Sequence, residues 1–262
     1  MNTIALLTDF GLVDPYAAMI KAVIWSINPC VSIIDLSHHI HPQQIREGAF
    51  ILWRSYRYFP RGTIFLCVVD PGVGSNRNAV AVKTNRYIFI GPDNGLLSPS
   101  AEEDGIREII RLEDNKYFLK NVSSTFHGRD IFAPAAAHLS KGIKIRDLGR
   151  RITAIHKVDI PKPKKTKNQM ILEILYTDHF GNLVTNLTKK EFQKFSEKRK
   201  WRVKAGSKIV EHFSDCYEDA PSHTPFLIEG SLGFLEIAVK NASAKSYFGF
   251  ERDNFLLKFT AS

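Results

Sequence analysis

The sequence predicts an α/β fold: an N-terminal α/β domain with a largely parallel central sheet, followed by a smaller, mostly antiparallel β domain. Three observations predict it. Short apolar runs alternate with helical patterns from Thr3 to Val69. The run Thr63–Val69 (TIFLCVV) is almost wholly apolar, as expected of a strand buried on both faces. Beyond Pro161 the pattern changes to short strand-like runs separated by turn formers, with one helical stretch.

Thr3–Thr8 is the first strand, ending in Asp9, Phe10 and Gly11. Residues 15–27 carry helical periodicity through Tyr16, Met19, Ile20, Val23 and Ile27. Residues 31–36 (VSIIDL) form a second strand, and a helix over 43–58 is stopped by Pro60, Arg61 and Gly62. After the third strand, 79–83 and 87–90 read as a hairpin, 91–95 as a turn, and 131–139 as a short Ala-rich helix. The first domain therefore spans 1–160, and a basic Pro/Lys linker occupies 161–169. The second domain, 170–262, has strand candidates at 170–176, 202–203, 208–210, 226–228, 234–239 and 255–259, with 189–199 helical.

Charge and cysteine content narrow the function classes. The chain of 262 residues has a formal net charge of +9. Lys162, Lys164, Lys165 and Lys167 contribute four charges and residues 189–204 a net six, so the remainder is nearly neutral. An excess confined to one linker and one helix face argues against nucleic acid as a partner. Three scattered cysteines, Cys30, Cys67 and Cys216, fit neither a disulfide framework nor a zinc site and point to a reducing cytoplasm. With neither a basic leader nor an apolar run of spanning length, no membrane association is expected.

The chemistry-bearing residues gather at loops. In open α/β sheets ligands bind at the carboxyl ends of the strands. Asp9, Asp35 and Asp70 fall at or near such ends, and glycines at 11, 72 and 74 let backbone approach a ligand closely. DPGVGSNR (70–77) lacks the Gly-Lys-Ser/Thr ending of a phosphate loop. His127 sits in Thr125–Asp130 (TFHGRD) before a helix. His38, His39 and His41 alternate in direction without a carboxylate or Cys at ligand spacing, so no metal is expected. The second domain offers Asp178, Phe180 and Asn182 in one polar turn, then Glu229 and Ser231 in a glycine-punctuated loop, then Asn241. Taken singly, each cluster is also compatible with an ordinary turn.

Together and in this order, LLTDFG (6–11), DLSH (35–38), VVDPGVG with Arg77, GPDNGLL (91–97), TFHGRD, TDHFGNLVTN (177–186) and EGSLGFLEIAV (229–239) resemble the S-adenosyl-L-methionine hydroxide adenosyltransferase family, relatives of the fluorinase and chlorinase. The resemblance implies a C-terminal domain that is barrel-like, and a homotrimer with active sites between the N-terminal domain of one subunit and the C-terminal domain of the next. It implies hydrolysis of S-adenosyl-L-methionine to adenosine and L-methionine, with Asp70, Arg77 and His127 as a catalytic triad. It places Asp9 on the ribose hydroxyls, Asn182 and the Asn241 backbone on adenine, and Phe180 in the nucleoside pocket. Asp178, Glu229 and Ser231 would face the methionine or nucleoside side. The halogenating relatives carry Tyr and Ser in place of His127 and Gly128, which favours water over halide as nucleophile. They also place an Arg near Leu232 to meet the methionine carboxylate. The alternatives are a halide-dependent 5′-halogenase and a protein that binds S-adenosylmethionine or adenosine without turnover.

The implied reaction needs no metal or redox cofactor. A sulfonium departs as a neutral thioether, so the difficulty is the nucleophile, since bulk water is barely ionised at neutral pH. Holding water in line with the C5′–S bond contributes up to roughly 7–11 kcal/mol. Asp70 would accept or steer the proton, with Arg77 fixing its carboxylate through a planar fork. An arginine partner favours the charged carboxylate and weakens it as a base, so His127 is the favoured proton acceptor or positioner.

Overall fold

The computed structural model describes residues 3–166, 168–197, 199–250 and 256–261. Lys167 of the linker, Lys198 of the basic helix and Phe255 of the last strand lie outside the described residues. The chain divides into two compact units, Met1–Asp159 and Ile160–Ser262.

The first unit runs β1 (Thr3–Thr8), α1 (Tyr16–Ile27), β2 (Ser32–Ser37), α2 (Ile45–Ser55), β3 (Ile64–Val68), β4 (Ala79–Thr84), β5 (Ile88–Pro92), α3 (Ser98–Asp104), β6 (Ile106–Leu112), α4 (Ala133–Ser140) and β7 (Gly149–Ile152). Its sheet has the order β2-β1-β3-β5-β4-β6-β7. The first four strands in that order are mutually parallel, and β4, β6 and β7 extend the sheet antiparallel. β1 explains its own composition. Ile4 and Leu6 join α1 and α4 in one core cluster, while Ala5 and Leu7 join α2 and Leu96 in another. Both faces of the strand are covered, so alternation is lost and the run is apolar throughout.

Three local expectations are corrected. The helix read over 43–58 begins at Ile45, because Gln43 takes a left-handed φ of 67°, and it passes into a 3-10 turn at Tyr56–Tyr58. The helix read from Ile131 is preceded by a π-helical turn, Gly128–Phe132, and becomes α-helical at Ala133. In α1 the buried face is Ala17, Ile20 and Ile24, leaving Tyr16 and Met19 exposed.

The second unit comprises β8 (Lys164–Lys165), β9 (Gln169–Thr177), β10 (Leu183–Thr185), α5 (Lys189–Ser196), β11 (Trp201–Ala205), β12 (Lys208–Val210), β13 (His212–Phe213), β14 (Pro225–Glu229), β15 (Leu235–Val239), α6 (Ala244–Phe248) and β16 (Leu256–Ala261). Within the segment read as linker, Lys164 and Lys165 pair with β9. The remaining strands follow the order β12-β11-β16-β9-β10-β15-β14-β13, and β12 comes back against β14, giving a nearly closed, barrel-like sheet. A barrel of this size is filled by its own side chains. Phe259 of β16 stacks on Phe192 of α5, which also stacks on Phe213. A reciprocal capping box between Thr188 and Glu191 starts α5. The basic helix thus turns two phenylalanines, Phe192 and Phe195, into the core and its lysines outward.

Candidate active site

The residues singled out in the sequence gather at two pockets, one in each unit. In the first, Asp9 follows β1 and Asp70 follows β3, so both carboxylates sit at the carboxyl edge of the parallel strands. They share a cavity of about 320 Å³ with Phe10, Gln43, His127 and Gly128. Arg77, at the end of the glycine-containing loop before β4, folds back on Asp70. Its Nε donates to both carboxylate oxygens at 2.9 and 3.0 Å, and its Nη2 also donates to Oδ2. Both side chains are largely buried, at 11% and 6% exposure. A charge-assisted pair with several hydrogen bonds offsets the cost of desolvating both groups.

The same guanidinium reaches His127, whose Nδ1 lies 2.9 Å from Arg77 Nη2. Arginine can only donate, so Nδ1 accepts and the imidazole is neutral with its proton on Nε2. Burial, then the Arg77 charge, holds the His127 pKa below its ordinary value, which agrees with that tautomer. The backbone makes this approach possible. Gly74 has φ of +77°, and a Cβ there would stand 2.3 Å from the Ser124 carbonyl oxygen, so the loops carrying Arg77 and His127 touch main chain to main chain. Buried Asp130 accepts from the Ser123 backbone N–H at 2.8 Å and its hydroxyl at 2.7 Å, and so braces the turn that presents His127.

Asp9 is held differently. Its Oδ2 accepts from the Gln43 N–H at 2.9 Å, the strained residue before α2. Burial raises its pKa, the Gln43 bond opposes this, and the Asp70 charge adds to the rise. The three histidines of the 38–41 segment disperse, and two have carboxylate partners that spacing did not suggest. His38 meets Asp35 and His41 meets Glu47.

The second pocket, about 730 Å³, brings together all six positions singled out in this unit: Asp178, Phe180, Asn182, Glu229, Ser231 and Asn241. Asp178 accepts from the Asn182 backbone N–H at 2.7 Å and from its side-chain Nδ2 at 2.9 Å, and Nδ2 is also 3.2 Å from the Tyr217 hydroxyl. A carboxylate only accepts, so the amide nitrogen is identified and Oδ1 is the remaining polar atom of that side chain. Phe180 is 75% exposed, and Asn241 adopts a left-handed φ of 60°. Glu229 is drawn to Lys189 at 3.2 Å.

Two lining residues escaped the sequence reading, Tyr217 and Glu236. Glu236 lies on β15, where every residue is buried. Its pKa is pushed up to about 7 by burial and the Asp178 charge, against a hydrogen bond from the Tyr217 hydroxyl. The Tyr217 pKa is pushed up to about 12, chiefly by burial and the same carboxylates. A carboxylate inside the apolar run LEIAV was the available signal for Glu236. Nothing in the sequence marks Tyr217.

Known proteins resemble this chain along most of its length. Residues 4–149 match the SAM hydroxide adenosyltransferase N-terminal domain and residues 172–256 the corresponding C-terminal domain. An (R)-S-adenosyl-L-methionine hydrolase of Thermus thermophilus is 36% identical over 95% of this chain and 96% of its own length. A protein of the same name from Methanocaldococcus jannaschii is 35% identical over 93% and 91%, and a fluorinase of Actinoplanes sp. is 31% identical over 73% of each. The crystal structure of an uncharacterized conserved protein from Thermotoga maritima superposes with a TM-score of 0.90 at 37% identity, over 98% of this chain and 99% of that one.

Proposed function

The chain belongs to the SAM hydroxide adenosyltransferase family, and from that premise we propose that it hydrolyses S-adenosyl-L-methionine to adenosine and L-methionine. The observation that carries the reading is the single guanidinium joining Asp70 to His127 beside Asp9. Water attacks C5′ in line with the C5′–S bond; the C5′–O bond forms as the C–S pair leaves on sulfur. The leaving group is a neutral thioether, so no acid is required. The Nδ1 lone pair of His127 is taken by Arg77, so His127 orients the water through Nε2–H, and the proton released from the water passes to Asp70, whose carboxylate retains acceptor capacity beside the guanidinium.

In this reading Asp9 holds the ribose hydroxyls, Asn182 and the Asn241 backbone hold adenine, and Phe180 covers the nucleoside. Asp178, Glu229, Ser231 and Glu236 face the methionine and sulfonium side, where a cation is favoured by carboxylates. The first unit supplies the nucleophile and ribose groups and the second the adenine and methionine groups. The working enzyme is accordingly a homotrimer whose sites are completed across subunits, acting in the cytoplasm without a resident cofactor. Among the described residues no helix is long and apolar enough to cross a membrane.

Purified protein incubated with S-adenosylmethionine in ¹⁸O water tests the reading. Adenosine carrying the label on its 5′-oxygen, with one methionine released per adenosine, is expected. A 5′-haloadenosine formed only with added halide, or ligand bound and recovered unchanged, overturns it. Light scattering tests the trimer.

A further inference from the structure

Behind the ribose side of the first pocket lies a row of paired groups that does not line the cavity. Lys21 Nζ donates to Asp35 Oδ2 at 2.6 Å, Asp35 Oδ1 is 3.1 Å from His38 Nε2, and His38 Nδ1 is 2.7 Å from Thr8 Oγ1. Thr8 is wholly buried and His38 is 3% exposed. The Thr8 hydroxyl also accepts from the Phe10 N–H at 3.3 Å.

The direction of each bond follows from the inventory of protons. The Asp35 carboxylate can only accept, so Nε2 of His38 carries a hydrogen, and in the neutral ring the Thr8 hydroxyl is the donor to Nδ1. Charge stays at the outer end on Lys21 and Asp35, and the inner end is neutral. Burial holds the His38 pKa below its ordinary value, consistent with a neutral ring.

The row ends one residue before Asp9, and main-chain bonds tie the same two segments together. Gly11 N–H donates to the His38 carbonyl at 2.7 Å, Ile40 N–H to the Thr8 carbonyl at 3.4 Å, and Gln43 N–H to the Asp9 carboxylate at 2.9 Å. Phe10 rests edge-on against Phe126, next to His127. We propose that His38 is a positioning residue for the reaction: its hydrogen bond to Thr8, backed by Asp35, sets the turn that aims Asp9 at the ribose. This rests on the reading of Asp9 as the ribose ligand.

Two substitutions separate positioning from packing. In His38→Asn the amide oxygen stands near the Nδ1 position and can accept from Thr8. In His38→Gln the amide reaches the Nε2 position, meets Asp35 and leaves the Thr8 O–H without its acceptor. Losing one hydrogen bond corresponds to roughly tenfold in affinity. We expect His38→Gln and Thr8→Val to raise the KM for S-adenosylmethionine, and the Kd for adenosine measured by calorimetry, about tenfold, with kcat changed less. His38→Asn is expected to stay within about threefold of wild type, and Thr8→Val to add nothing in an Asp9→Ala background. Wild-type KM and Kd in His38→Gln, equal losses in the Asn and Gln variants, or full additivity with Asp9→Ala overturns the proposal. If wild-type enzyme gives no adenosine, the hydrolase reading fails, while the Kd comparison still decides the role of His38.

Discussion

Nη2 of Arg77 lies 2.9 Å from Nδ1 of His127, so one guanidinium serves as donor to both the imidazole and the Asp70 carboxylate. A lysine cannot reproduce this, because an ammonium lacks the planar fork that spans two acceptors. Arg77→Lys is expected to lower kcat by about 100-fold or more, the order seen when one preorganised electrostatic donor is removed. Asp70→Asn is expected to do at least as much, by leaving a largely buried guanidinium without its counter-charge and removing the proposed proton acceptor. Single-turnover adenosine formation reads both, and wild-type rates in either variant would sink the assignment.

The tautomer of His127 gives a pH prediction. The working form is neutral, and its folded pKa lies below the ordinary 6.5 because of burial and then the Arg77 charge. A depressed pKa keeps the neutral form through the usual imidazole range and loses it only as pH falls through the lower folded value. The kcat profile should therefore be flat through 6.5 and fall below it. Arg77→Met removes the cation and should move the His127 titration, followed by ¹⁵N ring shifts, upward. The same spectra should show protonated Nε2 and bare Nδ1; a protonated Nδ1 at pH 7 contradicts the donor role.

Glu236 predicts a separate dependence in KM. Its folded pKa of about 7 is above the ordinary 4.5, so the stability of the neutral form is fully present below 4.5 and is lost as pH rises through 7. A cationic ligand draws the proton off, so KM for S-adenosylmethionine should rise as pH falls below 7. Glu236→Gln keeps the shape without the charge. Its Tm should exceed that of wild type at pH 8 and match it near pH 4.5, while its KM is high and independent of pH. Calorimetry in buffers of different ionisation enthalpy should show proton release on binding in wild type and none in the variant.

Legibility from sequence followed the kind of backbone each residue occupies. Asp9, Asp70 and Arg77 stand in glycine-containing loops at strand ends and His127 in one before a helical turn, where polar residues are visible against apolar elements. The bond between Arg77 and His127 was not legible, because 50 residues separate them and only the close approach at Gly74 brings their loops together. That bond occupies Nδ1, which is why the role proposed for His127 is water-orienting donor and not proton acceptor. A single carboxylate in LEIAV is also what the solvent face of a strand carries, so Glu236 does not stand out by sequence. β15 pairs on both sides with β10 and β14, and the curved sheet leaves none of its residues exposed. β7 is not legible because Arg150 and Arg151, both exposed, occupy the middle of its four residues.

Gly74 offers a stringent test of how the two loops assemble the site. An Ala there carries two penalties: a left-handed φ of +77°, worth about 1 kcal/mol for a residue with a Cβ, and a Cβ 2.3 Å from the Ser124 carbonyl oxygen. That oxygen belongs to main chain braced by Asp130 and cannot swing aside as a side-chain tip would. The loops must separate, and a displacement of about 1 Å between positioned groups costs on the order of 100-fold in rate. Gly62→Ala is the control, since its φ of +89° imposes the same backbone strain with nothing within 4 Å of the added carbon. We expect Gly62→Ala to lower Tm by a few degrees with kcat intact, and Gly74→Ala to lower Tm further and kcat by about 100-fold. Equal behaviour of the two variants would show that contact between the loops does not hold Arg77 on His127.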